Sequence, residues 1–154
     1  MKVLLLNGSP RKNGCTYTAL NVVADALKAE GIDAEVFQAG DPDMENVKAA
    51  AAKLKDSDAL VVGSPVYWAS PSGQIIEFMD RLASVAGKDM LYKPAAAVAS
   101  ARRAGTTATL DVLTKYFSYH QMPVVSSCYW NMVHGNTPEE VMKDEEGVQI
   151  MRVL

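Results

Sequence analysis

The sequence predicts a single doubly wound α/β domain: a five-stranded parallel sheet in the order 2-1-3-4-5, with helices on both faces. Continuous apolar runs stop abruptly at Gly, Ser or Pro, as strands buried on both faces do. Between them lie longer segments whose apolar residues recur at helical spacing. The two patterns alternate five times along 154 residues. Such alternation builds a parallel sheet with right-handed crossovers.

Residues 2–6 form the first strand, whose apolar run ends at Asn7 and Gly8. Residues 16–30 form the first helix, with Leu20, Val23 and Leu27 on one face and Gly31 as its stop. Residues 34–37 are a second strand, nearer an edge because Glu35 interrupts it, and 44–54 an Ala-rich helix. The third strand is 59–62. The helix at 73–85 then sets Ile75, Ile76, Met79 and Leu82 at core spacing. Residues 95–99, after Pro94, are the fourth strand. Thr106 or Thr107 caps a fourth helix that presents Leu110, Leu113 and Phe117. Residues 122–126 read as the fifth strand, and Pro138 opens a last helix containing Val141, Val148 and Met151.

Composition narrows the function classes. Lys and Arg number 15 against 18 Asp and Glu, a net charge of −3, and no basic stripe stands out, so nucleic acid is not an expected partner. The run from Val3 to Leu6 is too short for a signal peptide's apolar core, and no window approaches a membrane span. A cytoplasmic protein is expected. Two cysteines, Cys15 and Cys128, with His120 and His134, cannot make a zinc ribbon or a four-cysteine cluster within one chain. No metal is expected, and the thiols read as free.

In the order 2-1-3-4-5 a ligand crevice lies at the carboxyl ends of the first and third strands, so the loops after Leu6, Val62 and Ala99 should converge there. The first, from Asn7 to Thr16, joins a buried strand to a helix N-terminus. Free backbone N–H groups and the helix dipole favour a phosphate there, Ser9 and Thr16 add hydroxyls, and Arg11 can make charge-assisted bonds. A polar β-to-α turn capped by Thr is the plainer reading. The segment has neither the Gly-Lys-Ser/Thr ending of a P-loop nor a G-x-G-x-x-G fingerprint, which disfavours a nucleotide triphosphatase. The second loop, from Gly63 to Gly73, sets Tyr67 beside Trp68, which suits stacking on a flat heterocycle or covering a neighbouring loop or subunit. The third, from Ser100 to Thr106, carries Arg102 and Arg103. They read as solvated charge, or as cations beside an electron-rich ring.

Taken together, NGSPRKNGCT, GSPVYWASPSGQIIEFMDR and SARRAGTTATL, in this order and over nearly the whole chain, resemble the flavodoxin-like NADPH-dependent FMN reductase family. The resemblance implies a flavodoxin-like fold. It also implies non-covalent FMN, with its phosphate in the first loop, its ring beside the second and its pyrimidine side at the third. On this basis cofactor contacts fall to Ser9, Arg11, Asn13, Thr16, Pro65, Val66, Tyr67, Trp68, Ala101, Arg102 and Gly105. Cys15 stands where relatives often carry Asn or Ser, so its contact is expected through the backbone. The segment Tyr129 to Gly135 resembles a loop that in relatives reaches a neighbouring subunit's flavin, implying a homodimer or homotetramer; a covering loop on the same chain is the alternative. The chain runs from Phe37 to Met44 without the cysteine-containing insertion of the iron–sulfur branch, and related chains usually continue beyond Leu154.

The expected function is an FMN-dependent oxidoreductase that takes hydride from NADPH or NADH and passes electrons to a small acceptor such as a quinone or free flavin. In such chemistry the cofactor is the reagent, so no catalytic side chain is expected. The alternative is an electron carrier or flavin-storage protein reduced by a protein partner.

Overall fold

The computed structural model describes all 154 residues. Its elements are β1 (Lys2–Asn7), α1 (Cys15–Ala29), β2 (Asp33–Gln38), α2 (Met44–Lys55), β3 (Ala59–Tyr67), β4 (Ser70–Pro71), α3 (Gly73–Met90), β5 (Ala95–Ala101), α4 (Thr106–Tyr119), β6 (Met132–His134), α5 (Pro138–Lys143) and α6 (Glu145–Val153). The main sheet is parallel in the order β2-β1-β3-β5-β6, with the short β4 paired antiparallel to β3. Counting only parallel strands, this is the order 2-1-3-4-5, and the fold is the flavodoxin-like doubly wound sheet.

Side-chain alternation along the strands divides the core in two. Leu4, Leu6, Leu60 and Val62 face α2, α3 and α4 in a cluster of 22 buried residues. Val3, Leu5, Val61 and Val98 face α1, α5 and α6 in a cluster of 14. Ala95, Ala96, Ala97 and Ala99 are all buried in β5, where small side chains allow helices close on both faces. No helix is long and apolar enough to cross a membrane.

Three sequence expectations need correction. Residues 122–126 do not form the fifth strand: they make only a bridge between Val124 and Ala95, and the strand proper is β6. Asn131 spans the interruption, its Nδ2 donating to the Ala97 carbonyl (3.0 Å) and its own carbonyl accepting from the Ala99 N–H (2.9 Å). Second, β3 runs past Val62 to Tyr67, because Gly63, Ser64 and Pro65 pair in register with Val98, Ala99 and Ser100 instead of ending the strand. Third, the last helix breaks at Asp144, which closes α5 and caps α6 by accepting from the Gly147 N–H (3.0 Å).

Candidate functional site

The carboxyl ends of β1, β3 and β5 meet in a cleft of about 190 Å3 lined by Ser9, Arg11, Cys15, Thr16, Pro65, Val66, Tyr67, Ser100, Ala101, Arg102, Gly135 and Asn136. Nine of the residues singled out from sequence are among these. Asn13, Trp68 and Gly105 are not; Ser100 and Asn136 went unassigned, and Gly135 belongs to the segment whose resemblance points to a neighbouring subunit's flavin, with a covering loop on the same chain as the alternative. A wider groove of about 680 Å3 lies between α3 and α4, away from the strand ends, beside Asp80, Lys115 and His120.

The β1–α1 loop is fixed from both sides. The Gly8 N–H donates to the Gly63 carbonyl (2.8 Å), and Ser72 Oγ donates to the Gly8 carbonyl (2.8 Å), tying the loop to the start of α3. Ser9 is buried, and its Oγ accepts from the Arg11 N–H at 3.1 Å. α1 begins after Gly14, not at a Thr cap, and Gly14 offers no side-chain bond to the first amides. Thr16 lies inside the helix, 1% exposed, and its Oγ1 sits 2.7 Å from Oγ of Ser100, which is 4% exposed. One proton serves that bond and the other stays available to a ligand.

The third segment is built the same way. α4 starts after Gly105, which is left-handed (φ 102°) and gives no side-chain cap, so Thr106 and Thr107 are helical residues and not the cap. Thr106 Oγ1 instead donates to Met132 Sδ (3.2 Å). A Cβ on Gly105 would stand 2.7 Å from Ala69 Cα, so the glycine seats the β3–β4 hairpin against α4. The other four helices are capped by the side chains of Asp43, Ser72, Thr137 and Asp144. Only α1 and α4 keep uncapped N-termini, and both belong to segments that line the cleft.

The hairpin turns through Trp68 (φ 53°) and Ala69 (φ 57°), the left-handed pair of a type I′ turn, which Asn and Gly fill with least strain. Trp68 is 99% exposed at its tip, and Tyr67 is 41% exposed beside the cleft. Tyr129 and Trp130 form an edge-to-face pair, with ring centroids 5.0 Å apart, and both are exposed.

Electrostatically the cleft suits an anion. Ion pairs join Lys53 with Glu35 and Arg81 with Glu77, leaving Arg11 and Arg102 with no carboxylate partner. Burial pushes the Cys15 thiol above its ordinary range, with Arg11 opposing it less strongly, so the sulfur meets a ligand as neutral S–H. Unpaired guanidinium groups, free helix amides and a spare hydroxyl proton fit the phosphate of FMN.

Comparison with known proteins agrees. An iron–sulfur flavoprotein of Methanocaldococcus jannaschii is 28% identical over 180 positions, covering 100% of this chain and 93% of the relative. An NADPH azoreductase of Bacillus sp. is 30% identical over 108 positions, covering 66% of this chain and 59% of the relative. Among solved structures, a WrbA-like flavodoxin of Agrobacterium tumefaciens superposes with a TM-score of 0.74 at 19% identity, covering 99% of this chain and 90% of that one. The flavoenzyme NAD(P)H:(acceptor) oxidoreductase of Paracoccus denitrificans gives 0.72 at 16% identity, covering 97% and 96%. A cubane or two-iron cluster takes four ligands, usually thiolates. This chain has only Cys15, at the cleft, and Cys128, in an exposed loop, and does not fit such a cluster. The sequence model of NADPH-dependent FMN reductases matches residues 1–137, and the chain belongs to that family, flavin-dependent oxidoreductases that use FMN and NAD(P)H.

Proposed function

We propose that this chain binds FMN non-covalently in the cleft, takes hydride from NADPH or NADH, and passes electrons to a small acceptor such as a quinone or free flavin. The observation that carries this reading is the meeting of the uncapped α1 N-terminus and two arginines without carboxylate partners, Arg11 and Arg102, on one cleft. When bound, FMN supplies the hydride acceptance and its onward redistribution.

The chain's residues supply position and charge. Ser9, Arg11, Thr16 and the first amides of α1, with Cys15 contributing its backbone, hold the phosphate; Asn13, exposed on the same loop, reaches it by a side-chain turn. Pro65, Val66 and Tyr67 flank the ring, and Trp68 closes over it from the hairpin tip. Ala101, Arg102 and the backbone at Gly105 serve the pyrimidine side, where the α4 N-terminus and Arg102 favour added negative charge. No side chain acts as nucleophile or general acid in this reading. The exposed Tyr129 and Trp130 are offered to a second copy of the chain, in a homodimer or homotetramer.

The deciding experiment is an anaerobic visible-absorption titration of the FMN-loaded protein with NADPH, then with NADH. Bleaching at catalytic rates is expected. Flavin that bleaches only with a chemical reductant would instead make the protein a carrier or store, and a protein that takes up no FMN would sink the reading altogether.

A further inference from the structure

Two amide side chains outside the cleft lining, Asn7 and Gln38, grip the β1–α1 loop from beneath. Asn7 ends β1, is fully buried, and stands opposite Gln38 in the β1–β2 register. Its Nδ2 donates to Gln38 Oε1 at 2.7 Å and, at longer range, to the carbonyls of Arg11 (3.4 Å) and Lys12 (3.3 Å). Its Oδ1 accepts from the Ser9 N–H at 3.2 Å. Gln38 uses its other end as well, Nε2 donating to the Ser9 carbonyl at 2.7 Å. A backbone carbonyl can only accept, so the Gln38 amide has one orientation here; the flipped one would set oxygen against oxygen.

The backbone after β2 closes on the same residue. A Cβ on Gly40 would lie 2.0 Å from the Ser9 carbonyl oxygen, so only glycine lets this turn approach the loop. Asn46 Nδ2 ties the turn down, donating to the carbonyls of Gln38 (2.9 Å) and Asp41 (2.8 Å).

We infer that Gln38 is a positioning residue for the cofactor phosphate, acting through Ser9; the inference rests on the reading that the phosphate sits in the β1–α1 loop. Gln38 holds the Ser9 carbonyl while Asn7 holds the Ser9 N–H, so both peptide planes around Ser9 are fixed. Ser9 Oγ then accepts from the Arg11 N–H and keeps its own proton for a ligand. Removing the Gln38 amide leaves the Ser9 carbonyl and Asn7 Nδ2 without their short partners in a part-buried place. The loop must then turn to find others, and it carries Ser9 and Arg11 away from the phosphate.

The test compares FMN with riboflavin, which keeps the ring and ribityl chain but has no phosphate. Dissociation constants are measured by flavin-fluorescence quenching for the wild type, Gln38→Ala and Gln38→Met; Met conserves length and packing should alanine unfold the chain. Both variants are expected to bind FMN about tenfold more weakly and riboflavin within about twofold of wild type, the loss of one or two net hydrogen bonds confined to the phosphate. A general structural role would weaken both ligands alike and leave their ratio unmoved, which overturns the inference, as does an unchanged FMN affinity. A wild type with no preference for FMN over riboflavin would remove the phosphate reading itself. A wild type with that preference, retained in the variants, would remove Gln38 alone.

Discussion

Arg11 reaches the cleft from a loop whose backbone is held at Gly8, Ser9 and, through Asn7, near its own carbonyl. With no carboxylate to satisfy it, its guanidinium is free for a phosphate. Arg11→Ala is expected to weaken FMN at least tenfold, about 1.4 kcal/mol, while riboflavin binding stays near wild type. A fluorescence titration with both ligands checks this, and equal FMN affinity in the variant would take Arg11 out of the site. Gly105 meets a different demand: its φ of 102° and the nearness of Ala69 both reject a side chain. Gly105→Ala should cost about 1–3 kcal/mol in urea unfolding, since the backbone must leave its left-handed state or the hairpin must lift. An unmoved midpoint would show that the hairpin is not seated on that glycine.

At the level of elements, the β3–β4 hairpin and the interrupted fifth strand carry the local conflicts. Trp68 and Ala69 both occupy the left-handed region, which costs an ordinary residue about 1–2 kcal/mol. Ala69→Gly should therefore stabilise the protein by roughly 1 kcal/mol, raising the thermal midpoint by about 2–4 °C. Calorimetry showing no rise would mean the turn is unstrained. The fifth strand depends on a side chain where backbone pairing lapses. Asn131→Ala leaves the Ala97 carbonyl without that bond in the buried sheet and should cost about 1–3 kcal/mol by denaturant unfolding. Neither feature shows in hydrophobic periodicity, which reports buried faces and is blind to hydrogen bonds that leave one strand and return from another.

Across the whole molecule, α3 and α4 are joined by Tyr116, whose hydroxyl donates to Asp80 at 2.5 Å. Burial, then the bond and charge of Asp80, push this phenol well above its ordinary 10.0. The folded state thus favours neutral tyrosine. Its contribution is complete below pH 10 and is lost as the pH rises above that, because the unfolded chain ionises first. Urea midpoints at rising alkaline pH should fall, and Tyr116→Phe should flatten that fall; an identical slope would place the loss elsewhere. The sheet order, the covering of both sheet faces and the meeting of three loops at the strand ends were legible in the sequence, because burial on both faces and helical period are written into residue spacing. So was the arrival of Arg11 and Tyr67 at the cleft, while Arg102 read by itself as solvated charge or a ring-side cation and was pointed to the site by the family resemblance. Other features needed the folded chain: Ser100 paired with Thr16 at a separation of 84 residues, Asn136 brought to the cleft by β6, Gln38 clamping Ser9, and the glycine starts of α1 and α4. Which surfaces are buried, and hence which strand ends converge, follows from residue type and spacing, on which hydrophobic burial depends. Which polar groups meet does not, because a hydrogen bond requires angstrom-scale distance and direction between segments that chain order does not set.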